Sequence, residues 1–175
     1  MTHHRIMAGL AVLAAATAHA HPHASTDQQA HLTLGRHKTT VVYHITPSMR
    51  DDGHMFDHID SDGNGLLSGA ERRAFADALL KATRFRVDGK SVALVVSGVA
   101  FPARATLARG EGVIRVQAEA SVRLNAGQPH MLSFRLRYHS FAPRWHIQPF
   151  LHRDLEEASL HISRPAGGDE IVLIL

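Results

Sequence analysis

From Gly112 to Leu124 the chain reads GVIRVQAEASVRL, with every second residue apolar. Ile114, Val116, Ala118, Ala120, Val122 and Leu124 fall on one side of an extended chain, and Arg115, Gln117, Glu119, Ser121 and Arg123 on the other. Successive strand side chains point to opposite faces, so this period of two fits a sheet with one buried and one solvated face. HMLSFRLRYH repeats the pattern, setting Leu132, Phe134, Leu136 and Tyr138 opposite Ser133, Arg135, Arg137 and His139. In RFRVDGKSVALVV, Asp88-Gly89 separates two apolar runs, a hairpin signal, and NAGQP at 125–129 reads as a turn. With KTTVVYHITPS, ASLHIS and EIVLIL the chain carries about seven short half-buried strands. The expectation is a mainly β fold, an antiparallel immunoglobulin-like β-sandwich, with an α-helical insertion at about 48–83.

Within that insertion stands DSDGNGLLSGAE, Asp60 to Glu71. Oxygen-bearing side chains occupy its first, third and fifth places, glycine its sixth and glutamate its twelfth. Calcium takes six to eight oxygens at flexible distance, and a short loop surrounds it when alternate side chains turn inward. Asp60, Asp62 and Asn64 would supply side-chain oxygens, Leu66 its carbonyl, Ser68 an oxygen acting often through water, and Glu71 both carboxylate oxygens. Gly65 stands where the chain must turn sharply, and Leu67 at the apolar eighth place packs inward. Upstream, Ser48 and Asp51 read as a capping pair opening a helix through Gly53, with Met49, Phe56 and Ile59 on one face. Gly53 would weaken that helix by about 1 kcal/mol relative to alanine. Downstream, Ser68 is an N-cap with Glu71 three residues on, and Leu67, Ala70, Ala74, Phe75, Ala78, Leu79 and Ala82 recur at helical spacing. Over about 35 residues the chain closely resembles the EF-hand family. That resemblance implies a calcium site at Asp60, Asp62, Asn64, Leu66, Ser68 and Glu71. Three formal negative charges would also suit a trivalent lanthanide.

The first twenty residues, MTHHRIMAGLAVLAAATAHA, have a basic start, an apolar run from Ile6 to about Ala18, and Ala18-His19-Ala20. This is the pattern of a cleaved secretory signal at 1–20, leaving one domain, 21–175, that begins at His21. The run is short for a membrane span and no later segment offers one, so a periplasmic or secreted protein is expected. The chain contains no cysteine, so an exported form would depend on its core and on metal for stability. Its net charge of +3 carries no basic block, which argues against nucleic acid as a partner.

An export signal ending in AHAHPH, a strand, an acidic loop, then FRVDGK and further strands is similar to the DUF1007-type periplasmic family associated with ABC-type metal transport. It is also similar to the extracytoplasmic domain of hydrogenase and urease nickel-accessory membrane proteins, from which it departs by lacking membrane helices after the soluble part. The resemblance implies an exported β-sandwich in a metal-handling pathway, with a membrane metal-transport component as partner.

The chain has fifteen histidines. After cleavage, the His21 amine and imidazole could chelate copper in a brace, whereas Pro22 has no amide proton for a square-planar amide site. His54 and His58 stand at helical i, i+4 spacing, which can bind zinc or nickel. His146 and His152 could share a strand face, His139 lies on an exposed face, and His44 points outward between Tyr43 and Ile45. Trp145 is expected in the core. No nucleophile elbow, phosphate loop or dinucleotide fingerprint is present, so catalysis is not expected; a copper brace would be its one basis. The leading expectation is an exported calcium-binding protein with one EF-hand, acting as a binding or accessory module. The alternative is a periplasmic metallochaperone or metal-transport accessory using histidines for copper, nickel or zinc.

Overall fold

The computed structural model describes residues 25–125, 127–166 and 168–175. The expected signal segment and the expected His21 copper brace lie outside them. The strands are β1 (Asp27–Leu34), β2 (Lys38–Thr46), β3 (Thr83–Val87), β4 (Lys90–Val92), β5 (Val95–Ala100), β6 (Ile114–Ser121), β7 (Met131–Leu136), β8 (His146–Leu151), β9 (His161–Ser163) and β10 (Glu170–Ile174). The helices are α1 (His54–Ile59), α2 (Gly69–Lys81) and α3 (Arg104–Ala108). The chain is therefore mainly β. One sheet has the order β5-β6-β2-β1-β8 and the other β4-β3-β7-β10-β9.

The alternation becomes burial. In β6 and β7 the residues expected to face inward are buried and the intervening ones face outward. Tyr43 from the first sheet and Phe134 from the second belong to one core with Leu32, Ile45, Leu136 and Ile171. A hydrogen bond of 2.9 Å joins the Tyr43 hydroxyl to Thr83 Oγ1, which donates to Leu79 O, tying the first sheet to α2 and β3. Trp145 is buried, donates from Nε1 to Tyr138 O and meets Tyr43 edge-on. The Asp88-Gly89 turn pairs Val87 with Lys90, both turn residues having positive φ (50° and 76°), as a two-residue hairpin requires.

Three expectations need correction. First, the sheets are not wholly antiparallel: β1 runs parallel to β8, with Gln29 opposite His146 and Leu34 opposite Leu151. Parallel neighbours need a long crossover, here everything from β2 to β7, with strands of both sheets. Strand β1 was also absent from the expected set, because Gln28 breaks the apolar pattern at an inward position. It is 1% exposed, and its Nε2 donates to Ala142 O and Arg144 O, both at 3.1 Å.

Second, α1 begins at His54, not near Ser48. Asp52 and Gly53 have φ of 48° and 91°, outside the helical region, so Gly53 is the helix boundary and costs the helix nothing. Asp51 Oδ2 accepts from Met55 N instead of closing a box with Ser48. Met55 is buried with Phe56 and Ile59, while Met49 is 50% exposed. Third, α2 buries Phe75, Ala76 and Leu79, leaving Ala70 and Ala74 in solvent.

The helical segment is part of the main core. Met55, Phe56, Ile59, Leu67, Phe75 and Leu79 belong to the same buried cluster as the strands. Phe75 also meets Phe101, Tyr138 and Phe141 at 5.6–6.1 Å. Both ends of the loop between α1 and α2 are thereby anchored in the sheets' own core. Among the described residues no helix is long and apolar enough to cross a membrane.

Candidate metal centre

Asp60 is the C-cap of α1, and its N–H bonds Phe56 O. Because Phe56 and Ile59 are held in the core, Asp60 is drawn under the loop and is only 7% exposed. Ser68 is the N-cap of α2. Its hydroxyl accepts from Glu71 N, and Glu71 in the first turn accepts from Ser68 N, completing a capping box. The eight residues from Asp60 to Leu67 therefore return the chain so that the α1 end faces the first turn of α2. Gly65, at φ 80°, takes the left-handed conformation the reversal needs.

The loop organises itself around its oxygens. Asp60 Oδ2 accepts from Gly65 N at 2.8 Å. Asp62 accepts from Asn64 N and from Asn64 Nδ2, and Asn64 Oδ1 accepts from Leu66 N at 2.8 Å. Glu71 Oε1 accepts from Ser61 N, Ser61 Oγ and Asp62 N, and Oε2 from the N–H and hydroxyl of Ser68. These donors, Ser68's N–H foremost, hold the Glu71 carboxyl at about 2, well below its usual range. Ser61 has no place in a ligand-spacing pattern, so its part in holding Glu71 was not legible from spacing alone.

Carboxylate oxygens of Asp60, Asp62 and Glu71 lie within 4.8 Å of one another. Of the other expected ligands, Asn64 is exposed and bridges Asp62 to Leu66 N, the Leu66 side chain is 72% exposed, and Ser68 serves the capping box. Two unit charges 4.8 Å apart repel by about 0.9 kcal/mol even in bulk water, and more where water is excluded. Among the described residues no Lys, Arg or His is in ion-pair contact with these three. Arg104 lines an open cleft of about 440 Å³ with Asp60 and Asn64. Its guanidinium is committed to Asp57 Oδ1 at 2.8 Å and lies over the Phe56 ring. Asp60 Oδ1 is buried with no hydrogen-bond partner. A buried unpaired carboxylate oxygen is costly, and a cation in the loop would complete it. The arrangement is able to hold a metal ion through hard oxygen donors.

The expected histidine sites are dispersed. His54 and His58 are exposed on α1, and the His58 ring packs edge-on against Phe141. His152 pairs with Asp154 at 2.9 Å, whereas His146 stands exposed at the start of β8. His139 lies 3.6 Å from Asp169. Buried His130 is the firmest of all. Its Nε2 accepts from Asn125 N and its Nδ1 donates to Asp88 Oδ2, joining two turns. No protein-family model and no curated protein matches this chain.

Proposed function

We propose that this protein is an exported calcium-binding accessory module, an immunoglobulin-like β-sandwich carrying one EF-hand-type loop at Asp60–Glu71. The observation that carries the reading is the orphaned, buried Asp60 Oδ1, on a residue whose carboxylate converges with those of Asp62 and Glu71 to within 4.8 Å. The donor set is all oxygen, which suits a hard cation of flexible coordination better than a transition metal. Asp60, Asp62, Asn64 and Glu71 would hold calcium through side-chain oxygens, Leu66 through its carbonyl, and Ser68 through water. Calcium would supply charge compensation to the loop.

The same bonds argue for a modest affinity. Glu71 already accepts five hydrogen bonds, so turning both its oxygens to a cation must loosen some of those from Ser61 and Ser68. An affinity of the extracellular-module kind, about 10⁻⁴–10⁻³ M, is expected. At about 1 mM free calcium this stabilises the fold by about 0.4–1.4 kcal/mol. The helices flanking the loop are embedded in the core, which favours a structural staple over a sensor that opens. Calorimetric titration of chelator-stripped protein tests the reading. One saturable calcium site is expected in the wild type and none in Glu71→Gln. A wild type without such a site overturns the proposal.

A further inference from the structure

The outward face of the first sheet holds a second group of metal-binding atoms, away from the acidic loop. On β1, Asp27, Gln29 and His31 point outward, and their neighbours on β2 and β8 do the same. Gln29 stands opposite His44 on β2 and opposite His146 on β8. His31, two residues further along β1, reaches diagonally to His44, and the ring centroids are 4.7 Å apart, tilted by 41°. The Phe150 ring closes the other side of His31 at 5.5 Å, so the imidazole is held between two rings on a rigid strand.

Hydrogen bonds determine which nitrogen of His31 is free. Gln29 Nε2 donates to Asp27 Oδ2 at 2.6 Å, which orients the amide and turns Oε1 toward His31. Gln29 Oε1 can only accept, so His31 Nε2, 3.1 Å away, must carry the proton. The lone pair of the neutral ring is then on Nδ1. This is the outer-shell arrangement that sets tautomer and orientation for a metal-ligating histidine, with the opposite ring N–H bonded to an oxygen that is itself bonded onward. Burial, then the neighbouring His31, then Arg115 opposite it on β6, lower the pKa of His44, against a raising contribution from Asp27. Among the described residues no hydrogen bond from His44 to another side chain competes for its ring nitrogens.

We propose that His31 and His44 form a two-imidazole site for a borderline divalent transition metal, copper(II) foremost, on the outer face of the first sheet. Imidazole nitrogens select this class over calcium, and copper binds most tightly in the divalent series. The protein supplies two ligands and solvent the rest, as suits a site that accepts and releases an ion. Ring centroids 4.7 Å apart stand at about the spacing of two imidazoles in adjacent positions around one ion. The site is separate from the acidic loop and does not depend on the calcium reading.

The test uses the full chain with saturating calcium, isotopically labelled in its histidine rings, and substoichiometric copper(II) as probe. Paramagnetic broadening is expected first at the His31 and His44 ring signals, and before copper the His31 nitrogen shifts should report the Nε2–H tautomer. Broadening that begins at other histidines, with these two unaffected, overturns the proposal. A copper titration supplies the second arm. His31→Ala and His44→Ala should each remove one equivalent, Gln29→Leu should weaken that equivalent about 10-fold or more, and His58→Ala should leave it intact. Retention of every equivalent in both alanine variants refutes the site.

Discussion

Replacing Asp60 by asparagine should stabilise the calcium-free protein and blunt its response to calcium. Three carboxylates within 4.8 Å of one another make three repulsive pairs, and Asp60 takes part in two of them. At that separation each pair is worth about 0.9 kcal/mol in bulk-water dielectric. Water is the better guide for a loop in which Asp62 is exposed. The amide oxygen of asparagine can keep the bond from Gly65 N, so local geometry survives. In chelator the variant should therefore be more stable than wild type by about 1–2 kcal/mol. At 10 mM calcium the wild type gains about 1.4–2.7 kcal/mol for affinities of 10⁻³–10⁻⁴ M, while the variant, short of one charged ligand, gains little. In a domain of this size 1 kcal/mol moves the melting temperature by about 2–4 °C. Scanning calorimetry of both proteins in chelator and in calcium, with magnesium at matched ionic strength as control, should show calcium raising the wild type well above its own chelator value while the variant barely moves. An equal calcium response in the two proteins, or a variant less stable in chelator, would refute the reasoning.

Other perturbations follow from individual contacts. Asp88 accepts from His130 and from Met131 N, and these bonds, the His130 one first, hold its carboxyl below the ordinary 3.8. Its stabilising contribution is thus present above that value and lost as pH falls through the lower folded-state value. Asp88→Asn should flatten the acid limb of a stability–pH curve followed by urea denaturation below about pH 4. Arg84 on β3 lies directly opposite Arg135 on β7, two like charges side by side. Arg84→Glu should stabilise by about 0.2–1 kcal/mol, with the gain shrinking at high salt. Tyr43→Phe removes the bond to Thr83 that ties the sheets and should cost about 1 kcal/mol in denaturant midpoint, with calcium binding unchanged.

Much of the β architecture was legible because its signal is local. The faces of β6 and β7, the Asp88-Gly89 hairpin and the Ser68–Glu71 capping box are specified by residues within a few positions of one another. The convergence of Asp60, Asp62 and Glu71 is legible for the same reason, since first and last belong to one twelve-residue stretch reversed at its glycines. Helix α1 was misread at its start because Asp52 and Gly53 adopt left-handed conformations, which a spacing argument over Ser48 and Asp51 does not detect.

What the chain could not disclose by itself is who answers its out-of-pattern polar groups. Gln28 sits inside the sheet because the carbonyls of Ala142 and Arg144, 114 and 116 residues away, accept its protons. The β8 strand comes alongside β1, its parallel neighbour, only after the chain has run through β2 to β7 in both sheets. His31 and His44 share a face because β1 and β2 pair in the register that sets Gln29 opposite His44. The order of side chains along an extended strand is carried by the amino-acid sequence, since alternation is a property of the backbone itself. Which strand lies alongside, in which direction and register, is decided only when buried surface and backbone hydrogen bonds are satisfied together in the folded chain.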